Sequence, residues 1–393
     1  MIAPAPVAPT PVLPSTPLRR PWQAALRAAL AVWASVTVAH LAVSALAWLP
    51  RRAGDAPGLS MIFLSWNGWD AGHYVRIAES GYHLGPGFPA FFPLYPLLIH
   101  VADAMLPGGA LAAALLVANA AAVGALAVLH RLAEHEFGPR VAQRATWYLA
   151  AFPTGFFLFI GYNESLFILL AVGALYTGRR GHWWLAGTLG ALSSATRLFG
   201  VLLIAPLAIE YLRQRRWRLR LDVLSLALVP LGVVAYSVYC AIELGSPLAF
   251  SVAQDQWGRR YTFPGEAWLI AVRQMHGRSL LEPASLAAIL DAGSVLIAVA
   301  LLILCVKGRF RFRRDQLYLV VQAALTLVFL MSTEVGGRSM QSAARYTLEA
   351  VAVFLVLARL GANRTLDRAV LTVGISLHAV FLLVFMAGTF LVA

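Results

Sequence analysis

The sequence predicts an all-α, polytopic membrane protein, and three observations carry that expectation. Of its 393 residues, 60% are hydrophobic and 12% charged, with a mean hydropathy of +0.73; a soluble domain carries roughly 25% charged residues. The apolar residues fall in long runs without the alternating polarity of a barrel strand. In hydrocarbon a backbone must satisfy its own hydrogen bonds, which leaves the helix. Finally, the arginines cluster between the apolar runs, where the positive-inside bias puts them. The net charge of +13 therefore reads as membrane topology, and no nucleic-acid partner is expected. Cys240 and Cys305 both lie inside apolar runs, so neither a disulfide framework nor a zinc site is expected.

The elements follow in order. Residues 1–23 read as a disordered, proline-rich cytoplasmic tail, and residues 24–393 as a single transmembrane domain. The first run, Ala24 to Leu49 behind Arg19 and Arg20, is about twice the length of a signal-peptide core, roughly 7–15 residues, so it reads as a retained helix. A helix crossing roughly 30 Å of hydrocarbon needs about 20 residues, fewer where the bilayer thins. On that basis spans are expected near 24–49, 109–129, 145–160, 165–177, 183–196, 198–212, 221–243, 286–306, 317–331, 347–360 and 369–392, about 11 in all. The segments 145–177 and 183–212 have basic residues at both ends, so each is expected to be a short helical hairpin or a re-entrant pair, turning near Asn163 and near Arg197. This topology puts 21 of the 31 Lys and Arg on the cytoplasmic side, with the N-terminus inside and the C-terminus outside. Inner loops are then short and basic. The outer loops 50–108, 244–285 and 332–346 are longer and chemically mixed.

The chemistry concentrates in the first outer loop, from Trp66 through Trp69, Asp70, His73, Tyr74 and Arg76 to Ala90-Phe91-Phe92-Pro93-Leu94-Tyr95-Pro96. Trp and Tyr at this density mark a membrane–water boundary, where a ring buries its face and wets its polar edge. Asp70 begins a short helix expected over Ala71 to Ser80 and closed by Gly81. It is either the N-cap of that helix or a catalytic carboxylate reaching both a lipid-borne substrate and water. Asp70 and His73 have the i,i+3 spacing of shared metal ligands, but no third ligand is near and no metal is expected. Three prolines from Phe88 to Pro96 exclude a regular helix there; the aromatics suit a segment lying along the membrane surface, as an anchor or as a wall guiding a lipid chain. Asn163 and Glu164, Arg197, and Arg345 with Tyr346 are polar groups close to hydrocarbon, where charges are costly and usually purposeful. Two further stretches, Gln254–Arg260 and Glu334–Arg338, with Gln254, Trp257 and Arg338 foremost, add side chains able to meet a sugar or a phosphate, for which planar arginine is well suited.

Trp69-Asp70, Tyr74, Ala78, Gly81-Tyr82 and Ala90 to Pro96 resemble the first outer loop of PIG-V-type mannosyltransferases, the glycosylphosphatidylinositol mannosyltransferase II enzymes and their bacterial relatives. Asn163-Glu164-Ser165-Leu166-Phe167, Ala195-Thr196-Arg197 and Arg345-Tyr346 fit the same pattern in matching order. The resemblance implies a GT-C glycosyltransferase fold, a polyprenyl-phosphate-mannose donor and an aspartate in the first outer loop as base, with no cofactor. The acceptor does not carry over; a lipid-linked or cell-envelope glycan is expected. A transporter or flippase of a lipid-linked sugar is the rival reading. Such proteins often show paired repeats and midplane polar groups, whereas this chain has no convincing repeat and its polar groups lie toward one face.

Overall fold

The computed structural model describes residues 21–48, 59–275, 279, 282–389 and 391. The tail expected over 1–23 lies outside the described residues up to residue 20, as do residue 49 at the end of the first expected span and residues 50–58 of the expected first outer loop. The helices are α1 (Pro21–Trp48), α2 (Leu59–Ser65), α3 (Asp70–Ser80), α4 (Leu94–Met105), α5 (Gly109–Phe137), α6 (Pro139–Ala150), α7 (Glu164–Arg179), α8 (Trp183–Thr196) and α9 (Ile204–Gln214). They continue as α10 (Leu231–Glu243), α11 (Ala249–Gln256), α12 (Pro264–Met275), α13 (Pro283–Val306), α14 (Leu317–Leu330), α15 (Ala343–Tyr346), α16 (Val351–Leu360) and α17 (Arg364–Met386).

Among the described residues α1, α5, α13 and α17 are each long and apolar enough to cross a membrane. The 3-10 segment Leu221–Leu228 and α10, bent by 46° at their junction, make a fifth if they count as one span. The remaining expected spans are shorter or broken. The stretch 145–160 is not one helix: α6 ends at Ala150 and a 3-10 turn, Gly155–Leu158, follows. Pro153 disfavours helical geometry at Phe152, and a Cβ on Gly155 would come within 2.5 Å of the Ala150 carbonyl oxygen. The stretch 198–212 starts as the 3-10 segment Leu198–Leu203, and 347–360 as the 3-10 turn Thr347–Glu349. At 16 and 14 residues, α7 and α8 fall short of the roughly 20 needed to cross unaided. α7 is buried along most of its length and packs between α5 and α8, whereas α8 keeps an exposed face carrying Trp184, Leu185 and Leu192. The buried alanines of α5 and the glycines of α8 let backbones approach closely; a Cβ on Gly187 would sit 2.1 Å from the Ser225 carbonyl oxygen.

Both chain breaks expected in the middle of the sequence are present, one before α7 at Asn163 and one after α8 at Arg197, and the two residues meet: Arg197 Nε donates to Asn163 Oδ1 at 2.9 Å. The segments expected to be outer loops hold more structure than expected. α4 begins inside the proline-rich stretch, at Leu94, because Pro96 falls in its first turn, where the missing N–H costs nothing. The chain is also not purely helical. β1 (Arg260–Tyr261), β2 (Thr333–Val335) and β3 (Arg338–Ser339) form a small antiparallel sheet, pairing Arg260 with Glu334 and Val335 with Arg338. Runs this short carry no periodicity. The sheet joins the segments 244–285 and 332–346.

Candidate active site

The geometry begins at the break between α2 and α3. Trp69 caps α3 with φ 56° and makes no side-chain cap bond, so Asp70 is the first helical residue and not the N-cap. The capping alternative for Asp70 is thereby overturned. Its carboxylate instead accepts a hydrogen bond from Arg345 Nη1 at 2.8 Å, across 275 positions of sequence. Positive φ at a bulky non-glycine residue is uncommon and marks a constrained turn. Here Gly68 and the buried Tyr162 brace it, the Tyr162 hydroxyl donating to the Gly68 carbonyl at 3.1 Å.

Arg345 is one of two arginines in a cluster with three acids. Its Nε lies 3.2 Å from Glu164 Oε1, and its Nη2 donates to the Tyr346 hydroxyl at 2.7 Å. Arg197 donates to Glu164, Glu349 and Asn163 and lies over the Tyr346 ring. Four chain breaks converge here: before α3, before α7, after α8 and at α15. Buried charges of this kind persist only when paired and hydrogen-bonded. Exposure separates their roles. The side chains of Glu164 and Glu349 are 0% and 1% exposed, Arg345 3% and Arg197 11%, whereas Asp70 is 29% exposed.

Asp70 opens onto a cavity of about 210 Å³. It is the only acid lining that cavity among the described residues. Arg197, Arg345, Asn163, Tyr74, Phe92, Gln254, Trp257 and Tyr346 line it too, as the sequence reading expected of substrate-contacting residues. Six other expected residues do not line it. Glu164 is a buried counter-ion. Tyr95 is fully buried, its hydroxyl donating to the Ala114 carbonyl at 3.0 Å. His73 lies behind the wall, against the rings of Phe88, Phe91 and Trp257; burial there lowers its pKa, Asp70 partly opposing the shift. Arg76 lies over Phe88, Trp69 shapes the turn, and Arg338 sits in β3 outside the lining.

The sequence reading included Arg259 in the stretch Gln254–Arg260 without singling it out, and it missed Glu349 and the apolar side of the cavity, formed by Leu198, Phe199, Tyr261 and Phe329. For Glu349 a signal existed, since a carboxylate at the head of the apolar run 347–360 is expensive unless partnered. The same signal marks Asp291 within 286–306, whose oxygens accept from the backbone N–H of Ser342 at 3.2 Å and Ala344 at 2.9 Å.

The helical bundle that holds this charged cavity has the fold of the GT-C glycosyltransferases. The chain shares this fold with ArnT from Cupriavidus metallidurans bound to undecaprenyl phosphate, with a TM-score of 0.51 over 90% of this chain and 76% of that one, at 16% identity. The family model for mannosyltransferases of the PIG-V type matches residues 58–254, half of the chain, and the protein belongs to that family. It is 33% identical over 214 residues to the rat GPI alpha-1,6-mannosyltransferase 2, covering 51% of this chain and 42% of that enzyme. With the mouse protein of the same name it shares 36% identity over 143 residues, 34% of this chain and 29% of that one. These matches thus span less than half of either relative's length. The matched region includes Asp70, Tyr74, Asn163, Glu164 and Arg197; Arg345 and Glu349 lie beyond it.

Proposed function

We propose that this protein transfers mannose from a polyprenyl-phosphate-mannose donor to a lipid-linked or cell-envelope glycan acceptor at the outer face of the cell membrane, with inversion and with Asp70 as general base. The observation that carries the reading is the exposure of Asp70: it alone among the cluster's three acids reaches the cavity, while Arg345 holds one of its oxygens in place. An acceptor hydroxyl attacks C1 of the mannose and gives its proton to the Asp70 carboxylate. The new C1–O bond forms as the bond from C1 to the phosphate oxygen breaks, and the electron pair leaves with polyprenyl phosphate. A phosphate leaves readily and needs little proton donation; what it needs is positive potential, which the cavity arginines supply.

The shape of the cavity supports a lipid-borne donor. One side is charged; the other is made of Leu198, Phe199, Phe329 and Tyr261, with Phe263 exposed beside them in sequence. Such a surface suits a prenyl chain leading to a polar head. Family membership supports the sugar. The test is transfer by purified protein from a polyprenyl-phosphate-mannose and, separately, from GDP-mannose without lipid carrier. Transfer from the first alone is expected; transfer from the second alone would overturn the donor assignment. Comparing the lipids of a deletion strain with its parent then identifies the acceptor as the precursor that accumulates.

A further inference from the structure

The cavity holds three arginines, and their surroundings differ. Arg345 is engaged by Asp70, Glu164 and Tyr346, and Arg197 by Glu164, Glu349 and Asn163. Drawing either toward a ligand would strip buried carboxylates of their cations, which is costly. Arg259 also lines the cavity. Its Nε, like that of Arg345, is a buried N–H with no hydrogen-bond acceptor, but Arg345 Nε has Glu164 at 3.2 Å, whereas Arg259 makes no ion pair among the described residues. Buried donors are almost always satisfied, so an orphan of this kind facing a cavity calls for an acceptor that arrives with the ligand.

Its backbone is fixed on both sides. Upstream, Trp257 Nε1 donates to the Gly87 carbonyl at 3.0 Å, tying the end of α11 to the first outer segment. Gly258 has φ 63°, and a Cβ there would come within 3.2 Å of Gly336. The Gly258 carbonyl accepts from Gly336 N at 3.1 Å, and Arg260 pairs with Glu334 in the sheet. The Arg259 N–H itself donates to the Gln254 carbonyl at 3.0 Å. Arg259 is thus the charged side chain of a loop clamped at its neighbours that lines the cavity Asp70 opens onto, while the adjacent Arg260 is exposed outside the lining.

We propose that Arg259 seats the ligand's phosphate, and so acts as the anion-recognition residue of this cavity. Its planar fork matches phosphate oxygens and its charge needs no release from a partner. The apolar residues two and four positions on, Tyr261 and Phe263, fit a phosphate borne on a lipid. The inference deepens the mannosyltransferase reading and rests on it for the identity of the donor; the anion seat itself can be measured without any transfer.

The experiment is equilibrium binding to detergent-solubilised protein by intrinsic tryptophan fluorescence, with farnesyl monophosphate as probe in one arm and short-chain phosphatidylinositol in the other. Arg259→Gln is expected to weaken farnesyl phosphate binding roughly 10- to 100-fold, the scale of a charge-assisted hydrogen bond or two. Arg259→Lys, which keeps the charge but loses the fork, should fall between. Both variants should melt like the parent, because Arg259 has no ion pair to lose. Loss confined to the phosphatidylinositol arm would keep the phosphate seat but move it to the acceptor, overturning the donor as its source. Unchanged binding of both probes by Arg259→Gln would overturn the seat. Absence of mannose transfer by a parent protein that binds farnesyl phosphate through Arg259 would overturn the functional reading and leave this one standing.

Discussion

Replacing Asp70 by asparagine separates catalysis from structure at this position, because asparagine keeps a hydrogen-bond acceptor for Arg345 and loses only the charge and the basicity. Trp69 and not Asp70 is the cap of α3, so no capping bond is lost. The amide oxygen of asparagine can still accept from Arg345 Nη1, and Arg345 keeps Glu164 at 3.2 Å. Asp70 is also 29% exposed, so solvent already screens part of the pair and the stability cost should be about 1 kcal/mol or less. What the amide cannot do is take a proton. General-base catalysis is worth roughly 10²–10⁴-fold, or about 3–5 kcal/mol of barrier at about 1.36 kcal/mol per tenfold. Asp70→Asn should therefore lose turnover on that scale with its melting temperature and donor affinity preserved. The assay is mannose transfer from a polyprenyl-phosphate carrier under single-turnover conditions, alongside thermal melts of both proteins. Turnover within a few-fold of the parent would refute the reasoning. Glu164 could not then simply take over, since its side chain is 0% exposed.

Two further expectations concern the cluster and the membrane. Arg197→Gln leaves Glu164 and Glu349 buried without a shared cation and should cost about 3–5 kcal/mol, whereas Glu349→Gln removes one of three acids facing two arginines and should cost clearly less; thermal melts that reverse this order would contradict the charge balance described. Reporter fusions after Arg220 and Arg314 should read cytoplasmic, and those after Pro86 and Gly265 external; an external reading after Arg220 would remove the hairpin arrangement.

The sequence made the helical membrane class legible because composition and runs of apolar residues are bulk properties that no tertiary detail reverses. It also placed the two breaks at Asn163 and Arg197, since polar residues there interrupt apolar runs. It could not show that these breaks meet each other and Arg345, because convergence is a property of packing. Asp70 was legible as a site but ambiguous as a cap, and only the backbone of Trp69 resolves that. Glu164 looked like a substrate ligand because a charge near hydrocarbon has to have a purpose; here the purpose is to counter two arginines. Arg259 was hidden among other polar residues of its segment. What distinguishes it is the absence of an ion pair among the described residues, which no sequence displays. The β1–β2–β3 sheet escaped for a simpler reason, its strands being two and three residues long.

Asp291 tests whether the cluster is held in place from outside. It lies in α13, a helix apolar enough to span the membrane, and is buried there. Both its oxygens are turned to backbone: Oδ2 accepts from Ser342 N and Oδ1 from Ala344 N. Ser342 adopts a left-handed φ of 63°, and α15 follows directly, carrying Arg345. A carboxylate in an apolar helix is expensive to keep, and this one spends its hydrogen bonds on the turn that aims Arg345 at Asp70. Asp291→Ala leaves two buried N–H groups without acceptors, at about 1–3 kcal/mol each, and frees the turn. Asp291→Asn keeps one acceptor and should retain much of the parent's stability. If Asp291 is a positioning residue, hydrogen exchange at the amides of 342–345 should speed up in Asp291→Ala, and transfer should fall by more than the loss of folded protein explains, with Asp291→Asn recovering part of both. An alanine variant that destabilises the protein while leaving exchange at 342–345 no faster than elsewhere would make Asp291 a core residue and nothing more.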